Sequence, residues 1–158
     1  RLTFRKLPNV AYFCQTINIP DLTLSEISVP TPMKDFPIFG DNLTIGTVDL
    51  SFVVDEDLQN YQEIQTWMRG ISSPDTFVAH RALLNSPTVN FSDEGDLISD
   101  ATLHILTNSM NTNKNIEFEG MFPTSLGAIE FTTQDTEISA ITVSASFAIR
   151  DYKIKSVT

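Results

Sequence analysis

The sequence predicts a mainly β fold: an antiparallel β-sandwich or barrel with one flanking helix, in a single domain over residues 1–158. Two observations support this prediction. Apolar and polar residues alternate over 48–54 and again over 142–149, which is typical of half-buried strands. Apolar spacing of three and four residues, typical of a helix, is clear at residues 55–69.

The predicted helix directly follows the first of these strands. Asp55 is a candidate N-cap, and it begins a run of three acids where the helix dipole favours negative charge. Gly70 is a candidate stop at the other end. Trp67 belongs to the apolar stripe, so we expect it in the core rather than at an interface.

A hairpin and a corner are predicted in the second half of the chain. Residues 101–107 and 116–122 alternate, and the Asn- and Ser-rich stretch between them favours a long turn. In EFEGMFPTSLGAIEF, residues 117–131, two strand-like segments flank a break. We interpret this break as a corner between two strands, with these candidate residues: Phe122, Pro123, Thr124 and Gly127.

The last predicted strand has two different faces. Val143, Ala145 and Phe147 lie on the apolar face, with Ile149 after them. The opposite face is small and weakly polar, and it suits close approach to another surface or to water. Its candidate contact residues are Thr142, Ser144 and Ser146.

Two segments have no clear period. Residues 29–42 contain three prolines, which cannot donate to a sheet ladder, so we expect irregular structure. The segment is too apolar for a free loop, which leaves two interpretations: a loop folded over its own core, or an arm lying on a neighbour. The candidate arm residues are Pro30, Pro32, Met33, Phe36 and Phe39. Residues 77–100 are interpreted as a loop or a short insertion.

The chain is acidic, with 20 acids, 10 basic residues and a formal net charge of −10. Such a surface repels the phosphate backbone, so specific nucleic-acid binding is not expected. Solubility is the plainer explanation of the charge, but an acidic surface also lets DNA slide past without sticking. Cys14 is the lone cysteine, which excludes an internal disulfide and favours an intracellular origin.

The motifs of catalysis and of metal or cofactor binding are missing from the sequence. It has no HExxH, no CxxC, no Gly-rich phosphate loop and no Gly-x-Ser-x-Gly. No run of about 20 apolar residues predicts a membrane span either. We therefore expect no catalytic site, no metal, no cofactor and no membrane insertion.

Two alternatives to a structural role remain. A hydrolase with a site assembled from distant residues would require His80 or His104 beside an acid and a nucleophile. A monomeric binding module would require a groove lined by exposed aromatics such as Tyr12, Trp67 or Tyr152.

The C-terminal third resembles the tail-tube proteins of contractile-tailed bacteriophages of the T-even kind. The shared order is an alternating strand ending in an aromatic-Pro-Thr corner, a glycine with a further strand, an acidic turn, and a final strand closing on an aromatic. These parts are residues 116–122, 123–124, 127–131, 134–137 and 141–152. Upstream parts match in order too, at residues 13–15, 22–30 and 48–70.

The resemblance implies a subunit of hexameric rings that stack into a hollow tube inside a sheath, with DNA passing through the lumen unbound. Its partners would be other copies, sheath, baseplate and terminator proteins. The tail would be assembled in the host bacterial cytoplasm and become part of the virion. The arm residues would join rings, and Thr142, Ser144 and Ser146 would face the lumen or a neighbour. Tube initiators, terminators and secretion-system tubes share the fold, so these roles remain alternatives.

The chain starts at Arg1 and not at Met, which suggests that an N-terminal piece is missing.

Overall fold

The computed structural model describes residues 1–72, 81, 97–131 and 140–156. These residues form the mainly β, antiparallel fold that the sequence predicts, but with two helices instead of one. The elements are, in chain order, β1 (Leu2–Phe4), α1 (Pro8–Phe13), β2 (Cys14–Ile17), β3 (Leu22–Val29), β4 (Phe36–Ile45), β5 (Val48–Val53), α2 (Gln59–Ile71), β6 (Ser99–Leu106), β7 (Thr112–Leu126), β8 (Thr142–Ala148) and β9 (Asp151–Ser156).

One long strand, β7, connects two layers of sheet. Among the described strands the order is β1-β6-β7-β8-β5-β2, with β9 also paired to β7. Residues 114–119 of β7 lie between β6 and β9, and residues 122–126 pair with β8. The first half of β7 therefore belongs to one layer, with β1, β6 and β9, and the second half belongs to the other, with β8, β5 and β2.

The two layers pack face to face around one core. Phe4 of β1 and Phe147 of β8 come from different layers, and their ring centroids are 5.7 Å apart. Trp67 of α2 contacts both rings, at 6.4 and 6.2 Å. The alternation predicted for β5 and β8 is confirmed, because every second residue is buried. The buried apolar residues are Leu2, Phe4, Leu7, Val10, Val48, Leu50, Phe52, Ile64, Trp67, Ala101, Ile116, Phe118, Met121, Val143, Ala145 and Phe147.

Helix α2 begins later than the sequence predicts. Asp55 is not its N-cap: residues 55–58 form a turn, and Leu58, in the left-handed region at φ 56°, precedes the first helical residue. The buried side chain of Asn60 explains the difference, because its Nδ2 donates to the Val53 carbonyl at 2.7 Å. This tie to β5 sets the start of the helix. Gly70 lies inside the helix instead of ending it.

Trp67 is a core residue, as predicted. Its side chain is 3% exposed, and its indole nitrogen donates to the Leu97 carbonyl at 2.9 Å. Lys6 lies over the ring, with its nitrogen 5.0 Å from the centroid. The helix therefore covers the core and holds the chain just before β6 at the same time.

Helix α1 was not predicted, because six residues are too few to show a period. It packs against α2 through Asn9, whose amide donates to a carboxylate oxygen of Glu63 at 2.6 Å. Burial at this contact raises the pKa of the Glu63 carboxyl. Val10 of α1 is fully buried, so this short helix completes one side of the core.

The predicted hairpin of β6 and β7 is present, with a shorter turn than expected. The strands pair from Ser99 opposite Met121 to Leu106 opposite Thr112. The turn is closed by a hydrogen bond of 2.8 Å from the Thr107 amide to the Asn111 carbonyl, with Met110 at φ 62°. Of the segment interpreted as a loop or insertion, residues 99–100 begin β6; residues 77–80 and 82–96 lie outside the described residues.

We predict that Asn60→Ala lowers the free energy of unfolding by about 1–3 kcal/mol, because the Val53 carbonyl and the Asp55 amide lose their buried partner. Urea denaturation measures the change. Gln65→Ala, at an exposed position of the same helix, is the control and is expected to change stability by less than about 0.5 kcal/mol. Equal effects of the two substitutions would mean that Asn60 does not fasten the helix.

Candidate assembly surfaces

Residues 29–42 are not irregular: most of them belong to a β-hairpin. Strands β3 and β4 pair from Leu22 opposite Ile45 to Val29 opposite Phe36, and residues 30–35 form the tip. Pro37 is accommodated in β4, opposite Ser28. Because a two-stranded ribbon leaves one side of each strand unpaired, a proline can sit there without removing a ladder bond. We call residues 22–45 the hairpin arm.

The hairpin arm extends from the body of the protein. Its two strands pack chiefly against each other, and β4 alone is ten residues long, or about 33 Å. Half of the exposed large apolar side chains among the described residues belong to it. They are Leu22, Leu24, Ile27, Val29, Met33, Phe36, Ile38, Phe39 and Leu43.

The structure divides the candidate arm residues between tip and strand. Pro30, Pro32 and Met33 lie in the tip, where Met33 is 98% exposed. Phe36 and Phe39 lie in β4, at 56% and 77% exposed. A loop folded over its own core, the plainer of the two interpretations, does not fit these exposures. Exposed apolar surface of this extent marks an interaction site.

A second surface is the outer face of the layer formed by β2, β5, β8 and the end of β7. Thr142 and Ser144 are exposed and Ser146 is half-buried, as the alternation predicts. Their neighbours in β5 are Ser51, opposite Ser144, and Asp49, opposite Ser146. We call the outward residues of β5 and β8 the polar strand face.

Hydrogen bonds across the strands order this polar strand face. The Ser146 hydroxyl donates to Asp49 Oδ1 at 2.5 Å, and Asn18 Nδ2 approaches Asp49 Oδ2 at 3.4 Å. The hydroxyls of Thr16 and Ser51 are 2.5 Å apart. Asp49 is the one acidic or basic side chain in the described segments of this layer, so the face carries mainly hydroxyls, with Val53 and Ala148, around a single carboxylate.

The sequence contained a signal for Asp49 and Ser51, although neither was among the candidate residues. Both alternate with the buried Val48, Leu50 and Phe52. The same period that predicts the core face therefore places them on the outside. What the period does not give is the pairing of β5 with β8, which brings Asp49 to Ser146 across 97 residues of sequence.

The predicted corner lies inside one strand rather than between two. Phe122, Pro123 and Thr124 belong to β7, where the register with β8 shifts between Pro123 and Ser125. The Thr124 hydroxyl donates to the Ser146 carbonyl at 3.0 Å. Gly120, whose φ of 66° is in the left-handed region, lies just before the change of layer, since Met121 still pairs with Ser99 of β6 and Phe122 pairs with β8.

The strand that the resemblance implies over residues 127–131 is not present there, and the next strand after β7 among the described residues is β8. Gly127 ends the pairing: its amide donates to the Ser144 carbonyl at 2.8 Å. A Cβ at Gly127 would lie 2.9 Å from that oxygen, so the close approach requires glycine. The predicted acidic turn at residues 134–137 lies outside the described residues.

The basic residues of β9 are paired rather than gathered into a patch. Lys153 contacts Glu119 and Lys155 contacts Glu117, each with an N–O distance of 2.6 Å. The hydrogen bond that the Lys153 ammonium donates to Glu119 raises the pKa of Lys153. Both pairs are solvent-exposed cross-strand contacts, so the layer of β7 and β9 presents alternating charges.

The aromatic residues required by a binding module and the histidines required by a hydrolase do not form the predicted groove or catalytic site among the described residues. Trp67 is buried and Tyr152 packs against Phe118 at 6.4 Å, which leaves Tyr12, at 83%, as the exposed aromatic of the three. His104 Nδ1 lies 2.8 Å from Asn115 Oδ1, a contact with an amide instead of an acid. His80 lies outside the described residues.

Neither a metal site nor a membrane helix is found in the part of the chain that the structure describes. No three side chains of His, Cys, Asp or Glu are gathered there in a way that suits a metal ion. No helix among these residues is long and apolar enough to cross a membrane.

The chain belongs to the phage tail tube protein family. The family model, described as phage tail tube protein, matches residues 3–155, nearly the whole chain. The family is defined by a structural component of phage tails. A comparison with curated protein sequences found no match.

Solved structures with the same fold come from contractile injection systems. The chain is similar to a protein in the six-fold symmetrised baseplate of the anti-feeding prophage, with a TM-score of 0.62, 9% identity and coverage of 98% of this chain and 89% of that one. It is also similar to a protein of the cap that terminates the anti-feeding prophage tube, with a TM-score of 0.54, 14% identity and coverage of 91% of this chain and 80% of that one. A third match is a protein of the PVC sheath–tube complex in its extended state, with a TM-score of 0.53, 14% identity and coverage of 90% of this chain and 80% of that one. At these identities the likeness shows the fold alone.

We predict that Gly120→Ala destabilises the fold by about 1–2 kcal/mol, because any other residue is strained at this positive φ. The added Cβ would also lie 2.6 Å from the Arg150 side chain. Urea denaturation measures the loss, with exposed Ser125→Ala in the same strand as control. A loss no larger than that of the control would mean that β7 does not depend on glycine for its bend.

Proposed function

We propose that the chain is the structural subunit of a phage tail tube, with residues 1–158 as one domain, hexameric rings, and rings stacked around a lumen that conducts DNA. The single observation that best supports this role is the exposed hairpin arm on a fold that belongs to the tail tube family. A domain of this length has a radius of gyration of about 15 Å, so a tube around DNA requires many copies.

The hairpin arm provides the contact between rings in this proposal. Its candidate residues Pro30, Pro32, Met33, Phe36 and Phe39 all lie in the tip or in β4. Strand β4 alone spans about 33 Å and packs chiefly against β3, so the outer part of the arm is available to a neighbouring copy. Burying its exposed apolar side chains on another copy supplies the free energy of stacking.

The polar strand face lines the lumen in this proposal. Thr142, Ser144 and Ser146 are small, and Asp49 adds one carboxylate that has no ion pair within the described part of the chain. Such a surface offers DNA no positive charge to hold, and the net charge of −10 opposes binding elsewhere on the chain. DNA would therefore pass without specific contact.

The further partners follow from the same role. The outside of the tube would contact a sheath, and its two ends a baseplate and a tail terminator. Assembly would take place in the host bacterial cytoplasm, and the finished tube would be part of the virion. No catalytic, metal or cofactor function is proposed.

An initiator or terminator subunit is the second candidate function. It is favoured by the solved structures that share this fold, since one belongs to a baseplate and another to a tube-terminating cap. The two roles differ in outcome: a main tube subunit adds ring upon ring, whereas an initiator or terminator forms one ring and stops.

We predict that the purified chain forms hollow rods, and that removing the outer half of the hairpin arm abolishes them. The variant replaces residues 26–39 with Asn-Gly, which joins Ser25 to Gly40 by a two-residue turn. Negative-stain electron microscopy and light scattering measure assembly, and urea denaturation checks that the body stays folded. Lys34→Gln, in the tip, is the control that should still form rods.

Each other outcome has a definite meaning. Rods from the shortened chain would show that the arm does not join rings. Single rings that never lengthen, even on added tail baseplates, would favour the initiator or terminator. A wild-type chain that stays monomeric at high concentration and also fails to extend tubes on baseplates would refute the tube subunit.

A further inference from the structure

The hairpin arm changes its apolar face halfway along its length. Residues of a strand alternate between two faces, and residues that pair across an antiparallel ribbon share a face. The register of β3 with β4 therefore assigns every paired residue of the arm to one face or the other.

In the half of the arm nearest the body, the apolar residues lie together on one face. Leu24 is opposite Leu43, and both are more than half exposed. The other face of this half carries Thr23 opposite Thr44. We call the apolar group the base patch; its residues are Leu22, Leu24, Leu43 and Ile45.

In the outer half the arrangement is reversed. Ile27 is opposite Ile38, at 59% and 48% exposed, on the face that carries the threonines nearer the body. The face that continues the base patch has Glu26 and Ser28 instead, with Phe39 as its one large apolar residue besides the proline. We call the apolar group here the tip patch; its residues are Ile27, Val29, Phe36 and Ile38.

An irregular step in the pairing lies between the two patches. Leu24 pairs with Leu43, and the next pair is Glu26 with Phe39. Between these pairs β3 advances by two residues while β4 advances by four. The Asn42 amide donates to the Ser25 hydroxyl at 3.2 Å. A Cβ at Gly40 would lie 2.3 Å from that hydroxyl oxygen, so the two strands approach closely at the point where the apolar face changes.

We propose that the base patch and the tip patch dock on two different copies of the chain, so that one arm joins three subunits. The base patch, next to the body, contacts the neighbour in the same ring. The tip patch, about 17 Å further along the arm, contacts a copy in the next ring. This inference rests on the proposed function, and it adds which face of the arm meets which neighbour.

Copies of the chain are the partners, because the chain belongs to the family of phage tail tube proteins and a tube is built from repeated subunits. Each copy has a formal net charge of −10, so copies repel each other overall, and the contacts between them must come from surfaces that add no further like charge. Neither patch contains a charged residue. The arm has three acids: Glu26 lies on the face opposite the tip patch, Asp41 lies at the step between the patches, and Asp35 lies in the tip next to Phe36.

The test replaces one cross-strand pair of each patch with opposite charges. Leu24→Lys with Leu43→Glu changes the base patch, and Ile27→Lys with Ile38→Glu changes the tip patch. An opposite-charge pair supports the hairpin and leaves the net charge unchanged, but it cannot be buried on an apolar partner. The controls lie on the other faces: Thr23→Lys with Thr44→Glu matches the base-patch variant, and Ser28→Lys, which adds one positive charge, tests whether a charge in the outer half of the arm is tolerated away from the tip patch.

Light scattering and negative-stain microscopy of the full chains separate the stages of assembly. We expect the base-patch variant to remain monomeric, the tip-patch variant to form single rings without rods, and both controls to form rods like the wild type. Circular dichroism should show the same folded spectrum for all five proteins.

The inference is overturned if wild-type rods form and either patch variant also forms rods, or if both variants stop at the same stage. The second result would mean that the twist of the ribbon brings both patches onto one partner. Controls that stop like the patch variants would equally overturn it. A wild-type chain that forms no oligomer, with or without baseplates, would refute the proposed function itself.

Discussion

The fold depends on one strand being shared by two layers. Residues 114–119 of β7 pair with β6 and β9, and residues 122–126 pair with β8. Gly120 has a positive φ at the irregularity of the β6–β7 register, and after Met121, which still pairs with Ser99, the strand passes to β8. Asp100 holds the bend from the neighbouring strand, since its carboxylate accepts the Gly120 amide at 3.0 Å. Without this bend, β1 and β8 would not face each other, and the contact of Phe4 with Phe147 would be lost.

The shared strand also orients the outer surfaces. Since Val143, Ala145 and Phe147 must face the core, the residues between them must face outward. The same holds for Asp49 and Ser51 in β5. The polar strand face is therefore a consequence of how the core is closed, and a one-residue slip in register would bury its hydroxyls and carboxylate at a high cost in free energy.

What could be predicted from the sequence is what depends on neighbours in the chain. Alternation gave the buried face of β8, and apolar spacing gave the stripe containing Trp67. Features set by contacts between different elements were predicted wrongly. Asp55 has the chemistry of an N-cap, but Asn60 ties the chain to β5 and moves the helix start. Likewise, Pro37 argues against a strand by composition, yet an isolated two-stranded ribbon tolerates it.

The hairpin arm shows why the apolar pattern of such a protein is hard to interpret locally. In a core strand, one face remains apolar from end to end because one partner covers it, as in β8. In the arm, the apolar face reverses between Leu24 and Ile27, which no single internal core would require. The prolines and this reversal together removed the strand signal from residues 29–42. A reversal of this kind is what a strand pair needs when its two halves are covered by different surfaces. If the two patches dock on different copies, as proposed, the missing period of residues 29–42 follows from those two partners.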